Sequence, residues 1–152
     1  MGQNKKGEIT PKGLEVIKFG KVLIAVIIRT EYQAEGITFF TPSEFSQQLA
    51  YIKHRKGHTI EPHIHNLVPR EVKYTQEVLF VKKGKVKVDL YTHERRFLQS
   101  VVLKGGDTIL LASGGHGFKM LEPTEMIEVK QGPYAGERDK TKFKGYKKDD
   151  SD

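Results

Sequence analysis

Four side chains in this sequence have the types and spacing of a metal centre: His63, His65, Glu77 and His116. Three imidazoles and one carboxylate can close around a single divalent ion. In an extended strand, residues two apart point to the same face, so His63-Ile64-His65 would present two ring nitrogens on one side and Ile64 on the other. Neutral imidazole and carboxylate suit zinc, iron, manganese, nickel or copper, and the donor set does not choose among them. The chain has no cysteine, so thiolate ligation, thiol catalysis and disulfides are excluded.

Several other residues stand near these four in sequence or phase. Glu61 lies two positions before His63 and would point the same way, as a partner to a ligand or as a general base. Tyr51 and Lys53 share one face of a strand, where they could serve as acid and substrate anchor or simply tile a sheet surface. Arg70 could grip a carboxylate or phosphate through its planar fork, or lie solvated in a loop. Phe118 and Met120 alternate beyond His116, as an apolar wall of a site or as plain core. His54, His58 and His93 have no alternating partner and read as surface residues. No phosphate-binding Gly-rich loop, dinucleotide glycine pattern or Gly-x-Ser-x-Gly elbow is present.

The elements that must position these groups read as strands. Residues 14–19 and 22–30 are rich in Val and Ile around Gly20-Lys21, a hairpin pattern. Short strands are expected over 37–40 and 47–54, with Thr41-Pro42-Ser43 either a break or the cap of one helical turn before Phe45. Val86, Val88 and Leu90 alternate with Lys85, Lys87 and Asp89, the signature of a strand with one buried face. Further strands are expected over 97–104, 108–112, 118–121 and 126–130. Short strands punctuated by glycine and proline, without a long helical period or an internal repeat, imply an all-β antiparallel sandwich or barrel.

The glycines around the four ligands carry a resemblance. Gly57 precedes His63-Ile64-His65 by five intervening residues, and Glu77 precedes Gly84 by six. Gly105-Gly106-Asp107 opens an apolar strand that ends in Ser113-Gly114-Gly115-His116-Gly117. In these two motifs, from about Gln47 to Tyr134, the chain resembles the cupin family. Its Gly-Gly-His-Gly-Phe and Val-Lys-Gln-Gly-Pro-Tyr stretches are more narrowly similar to small cupins associated with surface-polysaccharide biosynthesis. The resemblance implies a jelly-roll barrel in which His63, His65, Glu77 and His116 converge on one divalent transition metal, leaving two octahedral positions open. Two departures stand out. Eleven residues separate His65 from Glu77 where the family has three or four, and Ala112 replaces the usual proline of the second motif.

Three functions follow from the resemblance. One is a metal-dependent enzyme polarising a carbonyl or hydroxyl of a sugar or sugar nucleotide for isomerisation, epimerisation or lyase chemistry. A second is an iron-dependent dioxygenase, and a third is a binding module that captures a small ligand without turning it over. Family members also pair as homodimers, and the segment 22–28 could offer the edge strand for it.

Length and charge bound these readings. With 152 residues the chain suits a single domain over 14–135, a polar arm over 1–13 and a charged tail over 136–152, its start pinned by Phe143 and Tyr146. The net charge of +7 is spread along strands without basic and aromatic interleaving, which disfavours nucleic acid and leaves a positive field suited to a small anionic sugar. No apolar run is long enough to span a membrane or to follow the N-terminal charges as a signal peptide, so a cytoplasmic location is expected.

Overall fold

The computed structural model of the protein describes residues 10–146; the outer parts of the expected arm and tail, 1–9 and 147–152, lie outside the described residues. Among the described residues there are ten strands and one short 3-10 turn. A five-stranded antiparallel sheet has the order β1 (Leu14–Phe19), β2 (Val22–Ile28), β8 (Thr108–Leu111), β5 (Glu77–Lys83), β10 (Glu125–Lys130). A three-stranded antiparallel sheet has the order β7 (Phe97–Lys104), β6 (Lys85–Tyr91), β9 (Gly115–Met120). The hairpin of β3 (Gly36–Phe39) and β4 (Ala50–Lys53) stands as a third, two-stranded sheet. The architecture is all-β with antiparallel sheets, as the strand pattern predicts.

The two larger sheets face each other across one apolar layer. Val86, Val88 and Leu90 of β6 are fully buried there, in the phase that their alternation with Lys85, Lys87 and Asp89 dictates. They meet Leu79 and Val81 of β5, Leu103 of β7, and Ile109 and Leu111 of β8. Burying such side chains contributes about 1.5–3 kcal/mol each. The outer face of the five-stranded sheet is covered in part by the segment around β3 and β4, where Phe40, Phe45 and Leu49 pack on Val26, Leu110 and Ala112.

Three local expectations change. Residues 22–28 are no sheet edge: β2 pairs with β1 on one side and β8 on the other, so its backbone donors and acceptors are already used. The segment after Thr41 forms a turn closed by the Phe45 amide on the Pro42 carbonyl, 3.1 Å, not a helical turn. His63-Ile64-His65 belongs to no strand. It lies in an irregular stretch, 54–76, that makes no ladder with either sheet and exposes Ile64, Leu67 and Val68. Pro62 and Pro69 remove two amide donors from this stretch, and its apolar residues do not alternate, so it has neither a complete ladder edge nor a face to bury.

At one end of the sandwich the sheets are tied by Asp107, which is fully buried at the start of β8. Its carboxylate accepts from the amides of Thr30 and Lys104, both at 3.0 Å, and from Arg29 Nη1 at 3.0 Å. Arg29 also donates to Glu15 at 2.7 Å and to the Val102 carbonyl of β7 at 2.6 Å. Both sheets are thereby joined through one guanidinium. The other end of β8, beside Glu77, opens into a cleft.

Candidate functional site

Glu77 begins β5 opposite Leu111 of β8, and directly opposed residues of an antiparallel pair share a face. Leu111 is core, so Glu77 points between the sheets, in phase with Leu79 and Val81. His116 of β9 stands opposite Leu90 of β6, which is also core, so it points between the sheets from the other side. The two meet: His116 Nε2 lies 3.1 Å from Glu77 Oε2, with both side chains largely shielded from solvent. A carboxylate only accepts, so the proton of this hydrogen bond sits on His116 Nε2 and, in the neutral ring, Nδ1 is the basic nitrogen. The hydrogen bond from His116 holds the Glu77 carboxyl below its ordinary range; burial opposes the shift, while the charges of His116, Lys130 and Lys140 reinforce it.

Around this pair lies a cleft of about 1140 Å³, bounded by both sheets, by the β6–β7 turn and by the C-terminal segment. Gly114 turns the chain from β8 into β9 at φ 72°, and a Cβ there would collide with the Tyr91 carbonyl oxygen. Only glycine holds that approach without strain, which places His116 two residues on at the cleft wall. Phe118 follows on the same face, its ring centroid 5.4 Å from that of His116. The C-terminal segment folds back over one side of the cleft. Phe143 packs edge-on against Tyr91 at 5.1 Å, Tyr146 stacks on Phe97 at 4.2 Å, and the Tyr146 amide donates to the Tyr91 hydroxyl at 3.0 Å.

No known protein family, curated protein or solved structure matches the chain. The chemistry of the site therefore rests on its own residues.

Of the expected metal ligands, the structure brings Glu77 and His116 together and leaves His63 and His65 in the exposed 54–76 stretch. The two imidazoles do share a side, with ring centroids 5.3 Å apart, and His63 Nδ1 is 2.9 Å from the Glu61 carbonyl oxygen. The carboxylate of Glu61 makes no hydrogen bond to either ring among the described residues. A catalytic metal centre takes three protein ligands and an open position. Among the described residues no three His, Asp or Glu side chains are grouped to hold an ion. As placed, Glu77 and His116 form a carboxylate-supported imidazole.

The remaining candidates divide by place. Phe118 lines the cleft, whereas Met120 is half exposed and lies beyond its lining. Tyr51 sits on the β3–β4 hairpin with its ring edge-on to Tyr32 at 5.0 Å, and Lys53 is paired with Glu35 at 2.7 Å, both outside the cleft. Arg70 is exposed in the 54–76 stretch, also outside the cleft. Tyr91, Arg95, Lys130, Lys140 and Phe143 line the cleft although nothing in their spacing singles them out. Tyr91 carries one usable signal, an aromatic residue at the end of the β6 alternation, just where the ladder to β7 slips by a residue.

Proposed function

We propose that the protein is a cupin-type sandwich whose cleft takes a small carbohydrate-type metabolite and shuttles a proton on it through the Glu77–His116 pair. The reading is carried by one observation: an imidazole and a carboxylate from opposite sheets meet at 3.1 Å in the wall of a large cleft. With Nε2–H held by Glu77, His116 Nδ1 takes a proton from a carbon next to a ligand carbonyl, and the electron pair moves into the carbonyl as an enolate. Ionised Glu77 stabilises the imidazolium that results. Where that carbon bears a hydroxyl, passage of the hydroxyl proton to the enolate oxygen and return of the carbon-bound proton from His116 to the former carbonyl carbon complete an isomerisation. The cleft is slightly larger than the usual range for small-molecule sites, and the aromatic rings of Tyr91, Phe118 and Phe143 beside polar groups suit a sugar ring.

The test is proton exchange in D₂O. Keto-sugars and keto-sugar nucleotides are incubated with the protein and an excess of chelator, and loss of the proton next to the carbonyl is followed by NMR. Exchange is expected in wild type and is expected to fall by a factor of about 10² or more in Glu77→Gln and His116→Gln. Exchange that appears only after zinc, iron, manganese or nickel is supplied, and vanishes in His63→Ala, would restore the four-ligand metal reading in place of this one. An absence of exchange with every substrate, alongside saturable binding, would make the protein a ligand-binding module.

A further inference from the structure

The β6–β7 turn presents an arginine where the backbone asks for a glycine. Thr92 and Arg96 close the turn, the Thr92 amide donating to the Arg96 carbonyl at 2.8 Å and the Arg95 amide to the Thr92 carbonyl at 3.0 Å. Three residues, His93 to Arg95, form the loop, and the last of three in such a hairpin takes the left-handed conformation that glycine or asparagine adopts most easily. Arg95 occupies it at φ 68°, the one non-glycine residue at positive φ among the described residues. Strain of this kind persists where the side chain is needed. The Arg95 guanidinium lies on the cleft wall with its carbon 5.8 Å from the centre of the Phe143 ring.

The charges of the cleft single out what this guanidinium meets. Glu77 is taken by His116, Glu128 pairs with Lys130 at 3.4 Å, and Asp139 accepts from Thr75. Glu94 is held by donors of its own turn. Arg95, Lys140 and Lys142 also line the cleft, and among the described residues none of them forms an ion pair. Among the described residues, three cations from two separate segments converge on one cleft without an ion-pair partner, while each acid there already has a donor.

We infer that Arg95, with Lys140 and Lys142 of the C-terminal segment, forms an anion-receiving rim, and that the cleft's ligand carries a phosphate or carboxylate group which Arg95 grips. The inference rests on the reading of the cleft as the ligand site, but not on the proton chemistry assigned to it. Arginine suits the role because its planar fork bonds two oxygens at once, and cation–π contact with Phe143 orients it beforehand. The lysines add positive field without directional demand.

The experiment is isothermal titration calorimetry on the full chain with glucose 6-phosphate, glucuronate and glucose. Wild type is compared with Arg95→Asn and Arg95→Gly, which relieve the turn, and with Lys12→Asn, which removes one positive charge from the segment before β1. The expected result is saturable binding of at least one of the two anions. Binding should weaken about tenfold or more in both Arg95 variants. Their melting temperatures should stay equal to wild type or rise, and Lys12→Asn should bind as wild type does. Whichever anion binds more tightly identifies the group. Anion binding that is indifferent to Arg95, or no binding of either anion, overturns the rim. Glucose binding that persists in those cases would still leave the sugar reading standing. Arg95-dependent anion binding without proton exchange would keep the rim and remove the acid–base reading.

Discussion

Glu77 links the chemistry of the site to the stability of the fold. Its carboxyl is held below the ordinary range first by the hydrogen bond from His116, so the folded state favours the ionised form. A group with a depressed folded pKa stabilises the protein above its unfolded pKa, and that contribution is lost as pH falls through the folded value. Glu77→Gln is therefore expected to cost about 1 kcal/mol at pH 7, the scale of one hydrogen bond to a charged group in a partly shielded site. The cost should fade as pH drops below the ordinary carboxylate range. Urea unfolding from pH 7 down to pH 2 measures it, and a cost that does not change with pH would mean the tie does not depend on charge. The convergence of Glu77 and His116 was expected from the family resemblance alone; in the structure strand phase delivers it, because Glu77 alternates with Leu79 and Val81, and His116 with Phe118. The rings of His63 and His65 lie 5.3 Å apart outside any strand. Whether that segment joins a sheet depends on backbone partners distant in sequence, and residue spacing does not encode those.

At the scale of elements, the C-terminal segment is held by a few aromatic contacts and rests on a glycine. A Cβ added at Gly115 would fall 2.9 and 3.1 Å from ring carbons of Phe143. Gly115→Ala should push Phe143 off Tyr91 and loosen the segment while leaving the sheets in place. The expected readout is trypsin cleavage within 138–144 that is faster on the order of tenfold, with little change in melting temperature. Phe143→Ala should reproduce the effect, and unchanged cleavage in both would show that the aromatic contacts do not hold the segment. Most strands were readable because period-two alternation survives in β6 and because Gly and Pro mark many of the ends, but β5 was not among those expected. The pairing of the strands was not readable: β2 resembles an exposed edge in sequence, yet β8, which follows it by many residues, covers its second side. The pinning of the tail by Phe143 and Tyr146 was expected from sequence, but its place against the β6–β7 turn is equally non-local and was not.

Across the whole molecule, the two sheets are tied at both ends of β8 by different means. At the closed end a fully buried Asp107 gathers two amides and Arg29, and at the open end a partly shielded pair spans the cleft. Removing one partner of a buried charged cluster leaves the other uncompensated and costs about 3–5 kcal/mol. Asp107→Ala should thus destabilise the protein severalfold more than Glu77→Gln. Urea denaturation checks the order, and equal costs would refute the division into a rigid end and a yielding one. That division suits the proposed ligand cleft, since the cleft end is the end with less to lose by opening.

The backbone at Tyr146 is hydrogen-bonded to Tyr91 beside the cleft, so whatever is attached beyond it is tethered at the site's mouth. A short flexible tether holds its cargo near its anchor at millimolar effective concentration. A polyhistidine purification tag placed there would bring extra imidazoles near Glu77 and His116, so metal content is to be measured on untagged protein. The same geometry suits a fluorescent reporter attached beyond Tyr146 as a test of the proposed ligand cleft.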